Sequence, residues 1–233
     1  MSASPDDEPL PFLAESDPLP PPEQARTDGL VAAGGAPTVE RLLEAYRNGI
    51  FPWSETGCPV LWWSPDPRLV LDPAALRVSR SLRAVIRKKT FTTTFDTAFR
   101  EVIRGCAAAP RREGPGTWIT PQIEAGYSAL HGLGYAHSVE AWAKGELMGG
   151  LYGVFLGRCF FGESMFSRRP DASKVALAAL AGELLRRDVH LIDCQVASAH
   201  LLGLGATEIP RAEFLRRLRE ALASPDDRGT WSA

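Results

Sequence analysis

The chain has 233 residues, of which 45% are hydrophobic and 23% charged, and its 26 basic side chains nearly balance its 28 acidic ones. This composition is typical of a globular protein and excludes collagen-like, fibrous and strongly disordered classes. A chain of this length buries a sizeable core without disulfide bonds, and it forms one large domain or one domain with a small companion.

Two features of the sequence bear on where the protein works. The four cysteines lie far apart and form no CxxC pair, which predicts reduced thiols and no zinc site. The N-terminus holds acids and prolines where an export signal needs a basic start and an apolar core, and no apolar run is long enough to cross a membrane. We therefore expect a cytoplasmic protein with no membrane anchor.

The start of the chain predicts a small N-terminal domain over residues 1–66, followed by a larger domain over residues 67–233. Residues 1–37 hold seven acids, one base and eight of the nineteen prolines. This composition favours an extended or disordered segment over residues 1–30. The prolines and paired tryptophans of residues 61–68 indicate a rigid, irregular connection, so we place the boundary there.

The next stretch is basic, because residues 77–112 hold ten bases and two acids, a balance that attracts a polyanion. A helix that begins at Ser79 would turn Leu82, Val85 and Ile86 toward the core and leave a basic stripe outside. Such a stripe suits phosphate contacts that position a nucleic acid, although an ordinary solvated helix face has the same pattern. The bases assigned to this contact are Arg80, Arg83, Arg87, Lys88 and Lys89.

The pattern of apolar and turn-forming residues predicts an α/β fold with a mostly antiparallel sheet flanked by helices. Predicted strands cover residues 68–71, 90–95, 137–143, 146–157, 158–167 and 189–195. Predicted helices cover residues 39–48, 96–106, 120–132, 197–203 and 211–223, with a basic helix after Ser79 and a long helix capped by Asp171 or Ser173. Three hairpin-linked strands, a helix and a further strand is the order of the GNAT-like acyltransferase fold, although a fold alone does not determine function.

Glu163 is the first candidate for chemistry, because strand alternation places it among the apolar side chains of Phe161 and Met165. A carboxylate in such surroundings needs a partner. Lys174, in the following helix, is one possible partner. A structural Glu–Lys ion pair is therefore the alternative to a functional role.

Asp193 and Gln195 form a second polar pair, on one face of a strand and near its end. Taken alone, this pattern is more typical of loop capping than of catalysis. Polar pairs on two predicted strands together favour a functional site. The sequence contains no GxSxG elbow, so we expect no serine nucleophile, and the turn before the long helix lacks the glycines that bind coenzyme A.

Aromatic residues crowd into eighteen positions of the N-terminal region, more than a unit of that size needs for its own core. At least one is therefore a candidate for stacking on a planar ligand such as a nucleobase. Trp118, in a glycine-rich run, is a similar candidate in the larger domain. The crowded residues are Tyr46, Phe51, Trp53, Trp62 and Trp63.

Nine blocks of this sequence, in order and spacing, resemble the leucyl/phenylalanyl-tRNA-protein transferase family. The resemblance covers about residues 30–215 and is far more specific than any one short motif. The blocks are AYRNGIFPW (45–53), LWWSPDPR (61–68), GTWIT (116–120), AHSVEAW (136–142), GGLYGV (149–154), FGESMFS (161–167), ASK (172–174), LIDCQ (191–195) and LGATEIPR (204–211).

The resemblance implies a cytoplasmic bacterial enzyme that transfers Leu, Phe and less often Met from tRNA to proteins that begin with Arg or Lys. It also implies a small N-terminal domain joined to a GNAT-like domain, with no metal and no nucleotide cofactor. Two other functions compete with this one. The first is tRNA-dependent aminoacyl transfer to a cell-wall precursor, by enzymes that resemble a duplicated form of this domain, and the second is a non-catalytic RNA-binding module.

The resemblance also assigns residues. Trp53 and Trp118 would flank the 3′-terminal adenosine of the tRNA, with Tyr46 and Tyr127 nearby. Glu163, Asp193 and Gln195 would form the catalytic centre, and the acids suit a cationic acceptor. Asp193 would orient Gln195, and Gln195 would either take a proton from the attacking amine or only position that amine. The side chains that would line the acyl pocket are Leu151, Met165, Leu177 and Leu180.

Overall fold

A computed structural model describes residue 6 and residues 9–55, 57–110 and 117–231. Its strands are β1 (Phe12–Leu13), β2 (Leu30–Gly34), β3 (Phe51–Pro52), β4 (Leu61–Trp63), β5 (Arg68–Leu71), β6 (Thr92–Phe95), β7 (Ala136–Ala143), β8 (Glu146–Leu156), β9 (Cys159–Ser167), β10 (Leu191–Gln195) and β11 (Thr207–Ile209). Its α-helices are α1 (Val39–Arg47), α2 (Arg80–Arg87), α3 (Phe99–Ala107), α4 (Pro121–Gly132), α5 (Ala172–Arg186), α6 (Ala199–Gly203) and α7 (Arg211–Leu222). None of the described helices is long and apolar enough to span a bilayer.

The N-terminal region folds around a four-stranded sheet with the order β1-β2-β4-β3. The strand β4 corrects the expectation of an irregular connection, because Leu61–Trp63 pairs with both β2 and β3. The strand β1 pairs in parallel with β2, within the stretch expected to be extended or disordered. Residues 1–5, 7 and 8 of that stretch lie outside the described residues.

The helix α1 begins and ends where local chemistry predicts. The Thr38 side chain accepts a hydrogen bond from the Arg41 amide, which satisfies a free N–H group of the first turn. Gly49 follows the helix with a φ of +70°, and a Cβ atom there would lie 2.6 Å from the Leu215 side chain. Glycine is therefore required at this turn for both its conformation and its lack of a side chain.

The larger sheet has seven strands in the order β11-β5-β10-β9-β8-β7-β6. All its pairings are antiparallel except that of β10 with β9. The meander β7-β8-β9, the helix α5 and the parallel strand β10 follow one another in the order expected for the GNAT-like fold. The α/β fold with a mostly antiparallel sheet is thus confirmed.

Helices cover both faces of this sheet and divide its core in two. Side chains of α1, α3, α4 and α7 pack on one face with Tyr152 and Phe161, and this half of the core continues into the N-terminal region. Side chains of α2 and α5 pack on the opposite face with Leu151 and Phe160. The alternation of side chains along β8 and β9 separates the two halves.

The helix α2 begins after Ser79, whose side chain accepts from the Leu82 amide as expected of an N-cap. Leu82 is buried and Val85 half-buried, but Ile86 is 40% exposed, so its predicted core position is wrong. The eight-residue helix packs mainly Leu82 against α5, and Ile86 lies at the edge of this contact. The basic region is also divided, because α3, with Arg100 and Arg104, packs on the other face of the sheet.

Candidate active site

Glu163 is the extra residue of a β-bulge. Tyr152 of β8 pairs with Ser164, but the next residue of β8, Gly153, pairs with Gly162, so Glu163 has no partner opposite it. The bulge resets the alternation of side chains along β9. Phe161 packs on the α3/α4 face and Met165 on the α5 face, so the prediction that Met165 shares a face with Phe161 is wrong. Glu163 does lie on the Phe161 face, where it contacts Tyr46 and Tyr127.

The Glu163 carboxyl group lies between two tyrosines. The Tyr46 hydroxyl donates to Oε1 at 2.6 Å, and the Tyr127 hydroxyl donates to Oε2 at 2.7 Å. The two hydroxyl oxygens also lie within hydrogen-bonding distance of each other. Lys174 is not the partner, because it lies in the first turn of α5 and bonds Asp171 at 3.1 Å.

Burial dominates the electrostatics of this cluster. Removal from water raises the pKa of Glu163 to about 7, against the hydrogen bonds from Tyr127 and Tyr46, which lower it. Burial next to the same carboxyl group raises the pKa of both tyrosines well above the usual value. The hydroxyls therefore stay protonated, and the carboxyl group titrates near neutral pH.

Asp193 is bonded to Arg68, a residue that the sequence analysis did not single out. The guanidinium donates from Nε to Oδ1 at 2.8 Å and from Nη2 to Oδ2 at 2.6 Å, and both side chains are fully buried. Its third nitrogen donates to the Gly49 carbonyl at 3.1 Å, and the rings of Phe51 and Phe214 cover it. The Asp193 charge is therefore already matched within the protein and is not free to bind a cationic acceptor.

Gln195 connects Asp193 to Glu163. Its backbone N–H donates to Asp193 Oδ1 at 3.0 Å, and its side-chain Nε2 lies 3.5 Å from Glu163 Oε1. A break in the pairing with β5 falls between Asp193 and Gln195, and Gln195 has a φ of +56°, in the left-handed region. The buried carboxylate thus fixes an otherwise unfavourable backbone that aims the amide at Glu163.

The site lies where β9 and β10 separate. Their parallel pairing joins Leu191, Ile192 and Asp193 to residues 159–161, and it stops before Glu163 and Gln195. Beyond this point the edge of β9 that faces β10 is not paired with it. We call this unpaired stretch between β9 and β10 the gap, and Glu163 and Gln195 lie at its start.

The four side chains assigned to the acyl pocket come together on the α5 face of the sheet. Leu151 and Met165 are opposite each other in the β8–β9 pairing. Leu177 and Leu180 lie one turn apart on α5 and pack in the same half of the core. All are buried except Met165, which is half-buried. Met165 follows Glu163 by two residues along β9, in the part of the strand that no longer pairs with β10.

The two tryptophans assigned to the adenosine contact different rings. Trp53 is 40% exposed and lies 6.1 Å from the ring of Trp63, whose Nε1 donates to the Trp53 carbonyl. Trp118 packs edge-on to Tyr127 at 6.5 Å, which brings it beside the Glu163 cluster. No contact joins Trp53 and Trp118 to each other among the residues described.

The basic residues of α2 lie outside this cluster, at the surface. All five side chains assigned to phosphate contact are exposed, and Arg83 bonds the Val78 carbonyl. Arg111 and Arg112, which the basic region also includes, lie outside the described residues, as does Gly116 of the GTWIT block. A cavity of about 540 Å³ lies between α3 and α4, bordered by Arg100 and an Arg104–Glu124 ion pair. Over the described ranges no three His, Cys, Asp or Glu side chains form a metal-binding group.

Comparison with known proteins assigns the chain to a protein family. A family profile described as "Leucyl/phenylalanyl-tRNA protein transferase" matches residues 70–219, and the profile of the N-terminal domain of that family matches residues 35–66. The chain belongs to the leucyl/phenylalanyl-tRNA protein transferase family. Gln195, Asp193 and Glu163 all lie within the part that the first profile covers.

Relatives that carry the name leucyl/phenylalanyl-tRNA–protein transferase are similar along most of their length. That of Azoarcus sp. (strain BH72) is 57% identical over 96% of this chain and 95% of its own. That of Syntrophotalea carbinolica is 58% identical over 89% of this chain and 90% of its own. Among solved structures, a GCN5-related N-acetyltransferase from Kribbella flavida has a TM-score of 0.38 and 12% identity, over 71% of this chain and 59% of that one.

Proposed function

We propose that this family member transfers Leu, Phe and less often Met from aminoacyl-tRNA to the α-amino group of proteins that begin with Arg or Lys. The observation that carries the proposal is the pairing of Glu163 and Gln195 at the gap between β9 and β10. Among the described residues, Glu163 accepts hydrogen bonds from hydroxyl and amide groups and from no arginine or lysine. An incoming amino group finds an acceptor there that the protein itself leaves without a cation.

The acyl group of the donor would lie on the α5 face of the sheet, opposite the face that holds Tyr46, Tyr127 and Trp118. Leu151, Met165, Leu177 and Leu180 would hold the hydrophobic side chain of the transferred amino acid, since burial of such a side chain contributes about 1.5–3 kcal/mol. Trp118 would stack on the terminal adenosine. Trp53 would also stack on it, after a movement of either the donor or the protein. The ester bond then lies at the gap, next to Gln195.

The chemistry needs alignment more than activation. The acyl group arrives as an ester, and an N-terminal amine with a pKa of about 7.7–8.0 is partly neutral near pH 7. Gln195 would orient this amine toward the ester carbon, and holding two reactants in line removes much of the barrier. We propose that neither a metal nor a nucleotide cofactor takes part, and that α2 guides the tRNA through its phosphates.

One assay tests the proposal. tRNA charged with labelled Leu or Phe is offered with two acceptor proteins that differ only in their first residue, Arg in one and Ser in the other. We expect label on the protein that begins with Arg and none on its partner. Equal labelling of both would contradict the acceptor specificity, and binding of tRNA without any transfer would indicate the RNA-binding alternative.

A further inference from the structure

Tyr46, Tyr127 and the carboxyl group of Glu163 form a closed ring of hydrogen-bonding oxygens, which we call the tyrosine–carboxyl ring. Each of its members contacts the other two, through Tyr46–Glu163, Tyr127–Glu163 and Tyr46–Tyr127. A hydrogen bond holds one hydrogen between two oxygens. Three contacts therefore require three hydrogens.

The number of hydrogens in the ring depends on Glu163. When the carboxyl group is ionised, the two phenolic hydrogens must serve three contacts, and one oxygen pair has none between it. When Glu163 is protonated, each contact holds one hydrogen. The tyrosines keep their own protons because burial raises the pKa of both well above the usual value. The ring thus has a place for one extra proton, and that proton resides on Glu163.

The surroundings of Glu163 bring its pKa close to neutral pH. Loss of contact with water raises the pKa of Glu163 to about 7. The other ionisable groups that face the ring are Tyr152 on β8 and the Arg68–Asp193 pair behind Gln195, and the charges of that pair largely cancel. Tyr46 and Tyr127 are fully buried, whereas Glu163 is partly exposed, so a substrate reaches the ring through Glu163.

We propose that the Glu163 carboxylate takes the proton of the attacking amine and then returns it to the leaving ribose oxygen, with Tyr46 and Tyr127 as positioning residues. This inference rests on the proposed function. The amine nitrogen forms a bond to the ester carbon and gives one proton to Glu163. The bond from that carbon to the ribose oxygen breaks, and the oxygen takes the proton from Glu163. The ring ends the cycle in its initial state, which suits a group that titrates near the working pH.

The first experiment measures the proton of the ring without tRNA. The chain is labelled with ¹³C at the glutamate carboxyl carbons, and the Glu163 signal is assigned by its loss in Glu163→Gln. We expect a titration midpoint near pH 7, and a higher midpoint in Tyr127→Phe because a hydrogen bond to the ionised form is removed. Tyr135→Phe, a tyrosine outside the ring, should leave the midpoint unchanged. A midpoint at the ordinary value for a glutamate would overturn the inference.

The second experiment measures turnover of Leu-tRNA with an acceptor that begins with Arg. Loss of a general base lowers kcat by about 10²–10⁴-fold, so we expect this range for Glu163→Gln with an unchanged Kd for Leu-tRNA. The acidic limb of the kcat profile should move to higher pH in Tyr127→Phe and not in Tyr135→Phe. An active wild type with an equally active Glu163→Gln variant contradicts the proton transfer alone. A wild type that transfers nothing contradicts the proposed function and this inference with it.

Discussion

Arg68 and Asp193 form a buried ion pair through two parallel hydrogen bonds, and the same carboxylate accepts the backbone N–H of Gln195. Arg68 also bonds the carbonyl of Gly49, which lies in the turn after the helix carrying Tyr46. One guanidinium therefore connects the supports of two groups at the site, Tyr46 and Gln195. Asp193 acts on Gln195 through its backbone and not through its amide side chain.

Replacement of Arg68 by Met should destabilise the protein strongly. It leaves the Asp193 charge buried without a partner, which costs about 3–5 kcal/mol in such pairs. Urea unfolding measures the change in the free energy of unfolding. Arg104→Met is the matched control, because the Arg104–Glu124 pair is exposed and contributes at most about 1 kcal/mol. Equal losses in the two variants would contradict the role of burial.

Truncation of Gln195 should separate catalysis from binding. We expect Gln195→Ala to lower kcat by about 10–100-fold with little change in Kd for aminoacyl-tRNA, because a group that only orients the amine does not hold the donor. Asp193→Ala should lower kcat in the same way and also lower stability. Val196→Ala, at the exposed next residue, serves as the control. Normal turnover in Gln195→Ala would remove this residue from the mechanism.

Charge reversal on α2 should weaken tRNA binding whatever the tRNA sequence. The dependence of log Kd on log salt falls by about 0.9 for each phosphate contact that is lost in a duplex. Arg80→Glu, Arg83→Glu and Arg87→Glu should each show this change in a filter-binding or anisotropy titration. Arg100→Glu carries the same charge change on the opposite face of the sheet and tests whether position matters. A salt slope that stays constant in all α2 variants would contradict a phosphate-binding helix.

The acyl pocket can be tested by enlarging it at one position. Leu180→Ala should raise the ratio of kcat/KM for Phe-tRNA over Leu-tRNA by about tenfold, since added space favours the larger side chain. Leu184→Ala creates a similar cavity one turn further along α5, where the side chain is also fully buried. Both variants should lose about 2–5 kcal/mol of stability, but only Leu180→Ala should change the ratio.

The stability of the protein should depend on the protonation of Glu163. Its pKa is about 7 in the folded chain and about 4.5 when exposed. Between these values the folded state binds more protons than the unfolded state, so stability falls as pH rises. Glu163→Gln removes this contribution. Thermal unfolding at pH 5 and pH 8 should show a smaller loss on going to pH 8 in the variant than in the wild type.

Local patterns in the sequence determined most of the helices and strands of the larger sheet. Thr38 and Ser79 cap helices as predicted, because an N-cap acts on amides within three residues of itself. Thr120, expected as the first residue of a helix, is the N-cap of α4. The meander of β7, β8 and β9 follows from alternating residues and glycine-containing turns. Glu163, Asp193 and Gln195 stood out as candidates because polar residues within apolar strands are costly unless they have a function or a partner.

Only the tertiary structure decided which residues bond to these polar side chains. Arg68 lies 125 residues before Asp193, and Tyr46 lies 117 residues before Glu163, so no local pattern connects either pair. The sequence also did not predict the bulge at Glu163. Its effect is large, since one inserted residue moves every later side chain of the strand to the other face. Trp231, beyond the last matching block, is buried and stacks on His137 at 4.1 Å, and this contact too joins residues far apart in the chain. Sequence patterns report each residue's neighbours along the chain, whereas the chemistry of this site depends on neighbours in space.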